Sequence, residues 1–189
     1  PGHGTIIRSA PSDSIDEILA RGMWSSVVSC GDDAMWQARA MAPDGSAFEL
    51  WYQGQNLGMV QWQLFGVHNV SNALSAAAAA HAVGVTPAII IDALQSFQGV
   101  KRRLEVVGCH NEVTLYDDFA HHPTAILGGI TSLRARVGAS QRIVVMLQFG
   151  SRSMQLGLHQ QKLIAALSGA DEVVLLNSPE LSWNIHDWA

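Results

Sequence analysis

Apolar and polar positions recur with regular spacing along most of the chain, and that spacing changes character past its middle. Near the start, Thr5-Ile6-Ile7 reads as a short strand. Ser12-Asp13-Ser14 then stand where a cap precedes a helix through Ile15, Ile18 and Leu19, closed by Gly22. Ala47-Phe48-Glu49-Leu50-Trp51-Tyr52 and Gly58-Met59-Val60-Gln61-Trp62-Gln63-Leu64 read as strands around a turn at 53–57, after an earlier turn at Pro43-Asp44-Gly45. Together they predict a small antiparallel unit. From Asn69 to Val83 the chain becomes alanine-rich, which predicts a helix with a small-residue face suited to close packing, ended by Gly84. Thr86 and Pro87 open a second helix through Ile89-Ile90-Ile91 that ends near Phe97 and Gly99.

Beyond Glu105 the order becomes strand, helix, strand, helix, strand, over 113–116, 124–136, 142–147, 156–167 and 172–176. The last two strands are nearly continuous apolar runs, so they predict a buried parallel sheet with helices on its faces. The fold class expected is α/β, with a Rossmann-like second domain. A boundary near residue 106 divides the chain into 1–105 and 106–189, and the second domain looks truncated, with fewer strands than an open doubly wound sheet usually carries.

Composition narrows the partners. With 48% hydrophobic and 14% charged residues, the 189-residue chain can bury an ordinary core. A net charge of -5 without long basic runs argues against nucleic acid or an anionic membrane as main partner, so an anionic ligand must be held locally. Cys30 and Cys109 lack disulfide-framework or metal-ligand spacing, which fits reduced thiols in a cytoplasm. There is no run of about 18 apolar residues and no signal-peptide pattern at the N-terminus. Opening on Pro1 rather than methionine suggests a mid-protein start.

Three clusters carry chemistry. Tyr116-Asp117-Asp118-Phe119-Ala120-His121-His122-Pro123 gathers two carboxylates and two imidazoles where a strand hands over to a helix, since Pro123 has no N–H to lose at a helix start. These groups can reach a ligand across the strand end; alternatively Asp117 or Asp118 caps the helix and the histidines are solvated. Gly66-Val67-His68-Asn69-Val70-Ser71-Asn72 places His68, Asn69 and Asn72 around the start of the alanine-rich helix. Amides and free N–H groups there can read an adenine edge or a phosphate, or Asn69 merely caps the helix. Val100-Lys101-Arg102-Arg103-Leu104-Glu105 offers guanidiniums that can clamp phosphate oxygens or form surface ion pairs. Gly150-Ser151-Arg152-Ser153 is a weaker candidate phosphate turn. Gly2-His3-Gly4-Thr5 is not a Walker A loop, because GxxxxGK[ST] is absent.

Taken in order, these three clusters resemble the Mur ligase family, ATP-dependent amide-bond ligases of peptidoglycan synthesis. Lys101-Arg102-Arg103-Leu104-Glu105 and Asp117-Asp118-Phe119-Ala120-His121-His122-Pro123-Thr124-Ala125 look most like the member that serves murein recycling. That member joins UDP-N-acetylmuramate to the tripeptide L-alanyl-γ-D-glutamyl-meso-diaminopimelate. The alternatives are the member that adds L-alanine and a non-catalytic nucleotide-binding domain. The resemblance implies a three-domain parent, of which residues 1–105 are the end of the central ATPase domain and 106–189 part of the C-terminal domain. It implies ATP and Mg²⁺ as cofactors, with the phosphate loop and magnesium ligands upstream of Pro1, so that the chain alone does not turn over ATP. By the same resemblance, His68, Asn69 and Asn72 sit on the nucleotide, with the two amides at the adenine. Arg103 meets the ATP phosphates, Asp118 binds the ribose hydroxyls, and His121 and His122 line the same cleft. Arg152 and Ser153 fall in the loop where related ligases recognise the acceptor. There this chain departs from the family's Leu-Glu-Pro-Arg-Ser-Asn-Thr-Met and reads Leu147-Gln148-Phe149-Gly150-Ser151-Arg152-Ser153-Met154.

Overall fold

The computed structural model describes residues 4–9 and 12–185, so Gly2 and His3 of the rejected phosphate loop lie outside the described residues. The chain divides into two compact units, Pro1–Gln98 and Gly99–Ala189.

In the first unit, β1 (Thr5–Ser9), β2 (Ser26–Cys30), β3 (Trp36–Ala40), β4 (Ala47–Tyr52) and β5 (Gln55–Gln61) lie side by side in that order. β1, β2 and β3 are parallel, whereas β3, β4 and β5 are antiparallel. The expected antiparallel unit is therefore the far half of a larger mixed sheet. Gln53-Gly54 alone joins β4 to β5, with φ of 48° and 79°, a two-residue turn whose twist matches the flanking strands. The helices are α1 (Asp13–Ala20), α2 (Val67–Ala82) and α3 (Pro87–Ser96). Ser12 and Thr86 hold the expected N-cap positions, but neither side chain makes the capping bond. On α2, Ala73, Ala77 and Ala78 are buried with Leu74 in a core that includes Trp36, Phe48, Leu50 and Val60. The short methyl side chains let the helix axis approach the sheet closely, as the alanine run predicted.

In the second unit, β6 (Glu105–His110) and β7 (Val113–Asp117) form an antiparallel hairpin through Asn111-Glu112, with φ of 47° and 64°. The break between units falls ahead of Gly99, not after Glu105, because the cationic segment is tied into this hairpin. The Arg102 Nε–H donates to Asp117 Oδ2 at 3.1 Å and the Phe119 N–H to the Arg102 carbonyl at 2.8 Å. There follow α4 (Pro123–Val137), β8 (Val144–Gln148), α5 (Arg152–Gln155), α6 (Gln160–Leu167) and β9 (Glu172–Leu176). β8 and β9 pair in parallel, while β7 bonds only to β6 among the described residues. The three parallel strands expected are thus a hairpin and a parallel pair. Leu147 packs with Ile126, Ile130, Leu163 and Leu167 on one side of that pair. Val144, Met146, Val174 and Leu176 on the other side are exposed, so the apolar runs are covered on one face rather than two.

The helix expected over 156–167 is interrupted by Gly157, at φ 73°, which separates α5 from α6. A Cβ there would lie 2.7 Å from Gln160 Nε2 and 2.9 Å from Trp183 Cδ1. The Trp183 ring packs edge-on against buried Phe149 at 5.1 Å and its Nε1–H donates to the Met154 carbonyl at 3.0 Å. Gly157→Ala is therefore expected to cost about 1–2 kcal/mol through its left-handed backbone and the displaced indole, read as a lower urea midpoint.

Arg134, near the end of α4, gathers the strand starts. Its guanidinium donates to the carbonyls of Gly138 (3.2 Å), Gln141 (2.5 Å) and Gly169 (3.3 Å) and to Asp171 Oδ2 (2.5 Å). Asp171 Oδ2 also accepts the Ile143 N–H at 2.7 Å. That backbone bond first, and Arg134 second, hold the Asp171 carboxyl below the usual carboxylate range. A folded-state value below the unfolded one adds stability that is complete above the unfolded value and lost as pH falls through the folded one. Asp171→Asn is accordingly expected to flatten the acid limb of the stability curve below about pH 4, measured by urea unfolding across a pH series.

Candidate functional site

The segment from Lys101 to Glu105 is a strained turn. Arg102 and Leu104 have φ of 59° and 49°, a left-handed conformation that costs a non-glycine residue about 1–2 kcal/mol. Its bonds offset that cost: the Arg102 N–H donates to Glu105 Oε2 at 2.7 Å, and the Arg102 guanidinium pairs with Asp117 and lies over the Phe119 ring at 4.8 Å. Arg102 is thereby committed to the fold. Arg103 is exposed, and among the described residues its guanidinium has no hydrogen-bond or ion-pair partner.

Asp118 is half-buried, and its Oδ1 accepts the Ala120 N–H at 3.1 Å. A Cβ at Gly129 of α4 would sit 3.0 Å from Asp118 Oδ2 and 3.9 Å from Leu104 Cδ2. The cationic turn and the Asp118 carboxylate therefore converge on one stretch of α4. Neither aspartate caps that helix. His122 is the N-cap, its Nδ1 accepting the Thr124 N–H at 3.3 Å, with Pro123 at the first helical position. Asp117 is engaged by Arg102 and Asp118 by Ala120, which leaves the imidazole to cap. The two Nδ1 atoms consequently play opposite parts, one donating and one accepting. His121 Nδ1 lies 2.9 Å from the Phe119 carbonyl, which can only accept, so this nitrogen carries a proton and Nε2 is the ring atom left for a ligand. His122 Nδ1 accepts, so its proton sits on Nε2.

The loop before α5 joins this cluster. The Ser151 hydroxyl lies 3.3 Å from the His121 carbonyl, to which it donates, and 3.4 Å from the Met154 N–H that it caps; the Ser153 hydroxyl is 3.3 Å from that of Ser151. Arg152 opens α5, exposed and without a partner among the described residues. Arg103, Asp118, His121, His122, Arg152 and Ser153 thus all lie in the second unit. A residue that no motif marks joins them: the His159 ring meets that of His122 edge-on at 4.9 Å. Its only signal is the helix break at Gly157.

His68, Asn69 and Asn72 form a separate group at the start of α2 in the first unit. Gly66, at φ 99°, is the N-cap, so Asn69 does not cap; its Nδ2 donates to the Phe65 carbonyl at 2.7 Å from within the first turn. Asn72 lies one turn on, exposed, with no partner among the described residues, and shares a helix face with Asn69.

For a nucleotide, the second unit supplies an uncommitted guanidinium and a fixed carboxylate, which suit phosphate oxygens and ribose hydroxyls respectively. Among the described residues, no group of three or more His, Cys, Asp or Glu side chains is placed to hold a metal ion. No described helix is long and apolar enough to cross a membrane.

Known proteins resemble this chain along its whole length. The family model "Mur ligase, glutamate ligase domain" matches residues 102–188. Over 189 residues the chain is 43% identical to the UDP-N-acetylmuramate--L-alanyl-gamma-D-glutamyl-meso-2,6-diaminoheptandioate ligase of Haemophilus influenzae, covering 100% of this chain and 42% of that protein. It is 41% identical over 117 residues to the UDP-N-acetylmuramate--L-alanine ligase of a Synechococcus species, covering 61% of this chain and 22% of that one. Among solved structures, the murein peptide ligase of Psychrobacter arcticus superposes with a TM-score of 0.70 at 33% identity, covering 99% of this chain and 40% of that chain. The chain spans about two fifths of the length of the relatives it matches throughout.

Proposed function

The chain belongs to the Mur ligase family, and on that premise we propose that its parent is an ATP-dependent ligase joining UDP-N-acetylmuramate to L-alanyl-γ-D-glutamyl-meso-diaminopimelate in murein recycling. One observation carries the choice of acceptor. The match to the tripeptide ligase spans the whole chain, whereas the L-alanine ligase of Synechococcus matches 61% of it. In this reading residues 1–98 complete the ATP-binding domain and 99–189 belong to the C-terminal domain, in a cytoplasm where the thiols of Cys30 and Cys109 stay free.

ATP, with magnesium held by residues outside this chain, supplies the phosphoryl group that activates the muramoyl carboxylate. The chain's own residues position and neutralise. Arg103 faces phosphate oxygens, Asp118 accepts ribose hydroxyls, and Asn69 and Asn72 read the adenine edge with His68 beside them. His121 turns Nε2 to the ligand to accept the proton shed by the attacking amine, and His122, whose Nδ1 is spent on Thr124, donates a hydrogen bond from Nε2 in the same cleft. Arg152 and Ser153 hold the acceptor.

The test is ligation by the full-length parent, offered UDP-N-acetylmuramate with the tripeptide or with L-alanine and read by product mass. Tripeptide product supports the reading, product with L-alanine alone moves the chain to the biosynthetic branch, and no product with either acceptor favours a non-catalytic nucleotide-binding domain.

A further inference from the structure

His159 occupies the N-cap position of α6, with φ -121° and ψ 10°, yet its side chain makes no capping bond. Ser, Thr, Asp or Asn usually stand there because their oxygens satisfy free N–H groups. Neither ring nitrogen of His159 has a hydrogen-bond partner among the described residues, although the ring is half-buried. An imidazole that neither caps nor reaches full solvent keeps an N–H to offer a ligand. It borders a cavity of about 280 Å³ lined by residues 157–162, none of them acidic. Lys162, also on that lining, is exposed and has no ion-pair partner among the described residues. His122 contributes from its edge-on contact: Nδ1 is spent on Thr124, so its remaining polar atom is the Nε2–H donor. An imidazole and an ammonium on a lining that carries no carboxylate, with a second imidazole against the first, favour an anion of carboxylate size.

We infer that His159 and Lys162, with His122, form a carboxylate subsite for the acceptor peptide. The inference rests on the ligase reading and adds two residues to it. An acceptor with several carboxylates can place one here and the rest on Arg152 and Ser153.

The parent enzyme tests this through its three Michaelis constants. His159→Phe keeps the edge-on ring contact but offers no N–H, and Lys162→Met keeps the aliphatic stem without the charge. Each is expected to raise KM for the tripeptide about tenfold, with KM for ATP and for the UDP-sugar unchanged and kcat little altered. His159→Asn, which restores a donor, recovers part of the loss. Tripeptides amidated at one carboxylate at a time sharpen the result: the amide that weakens wild-type binding weakens His159→Phe no further. An unchanged tripeptide KM in both variants, or an equal rise in all three constants, overturns the subsite while leaving the ligase reading intact. A wild-type parent that does not ligate the tripeptide overturns both. If His159→Phe fails to fold, Lys162→Met, which removes an exposed charge, carries the same readout.

Discussion

Arg103→Ala in the full-length parent is expected to lower kcat/KM for ligation about 30- to 1000-fold, equivalent to about 2–4 kcal/mol of transition-state stabilisation. The expectation rests on a contrast between neighbours. Arg102 is consumed by the fold, bonded to Asp117 and stacked over Phe119, whereas Arg103 leaves the same rigid turn with nothing bound. A guanidinium held on a fixed backbone but free at its tip loses little conformational freedom on meeting a phosphate. Arg102→Ala should show the opposite signature, a drop in stability from the loss of its bonds across the strained turn. If Arg103→Ala ligates at the wild-type rate, the guanidinium does not touch the transferring phosphoryl group.

The largest stability effect is expected at Arg134. Arg134→Met should destabilise the second unit by about 2–3 kcal/mol, taking about 1 kcal/mol for each lost carbonyl bond and nothing for the exposed Asp171 carboxylate. The side chain is 27% exposed, and it ties the end of α4 to the loops that lead into β8 and β9. Removing it leaves three carbonyls to find water or strand unpaired. Arg134→Lys should restore little, because one ammonium cannot span acceptors arranged for a planar fork. Urea unfolding gives the magnitude and amide exchange in β8 and β9 its location. A wild-type midpoint with wild-type protection in both strands would sink the idea that Arg134 holds this unit together.

What could be read from the sequence was what local chemistry enforces. Pro123 announced the start of α4, the alanine run the close-packed face of α2, and the valine and leucine runs β8 and β9. β2 and β3 are not legible because Ser26-Val27-Val28-Ser29-Cys30 and Trp36-Gln37-Ala38-Arg39-Ala40 lack sustained alternation; their partners in the sheet make them strands. β6 is hidden by Gly108 and by a register shift between Val106 and Gly108, and the bonds that tie Arg102 to Asp117 and Phe119, which set the break ahead of Gly99, join segments apart in the chain. At the site, the residue types were legible but their division of labour was not. Which arginine is free, which imidazole caps, and that Ser151 and His159 come to the histidines all depend on contacts between segments distant in the chain.

The bare side of the β8–β9 pair has a colloidal consequence. Parallel strands are normally shielded above and below, and among the described residues no further strand pairs with either edge of this two-stranded sheet. Val144, Met146, Val174 and Leu176 therefore act between copies of the chain as a short-range attraction. The net charge of -5 opposes it at longer range. Salt shortens that repulsion to about 10 Å at 0.1 M without weakening the apolar contact, so copies held apart in dilute buffer are drawn together as ionic strength rises.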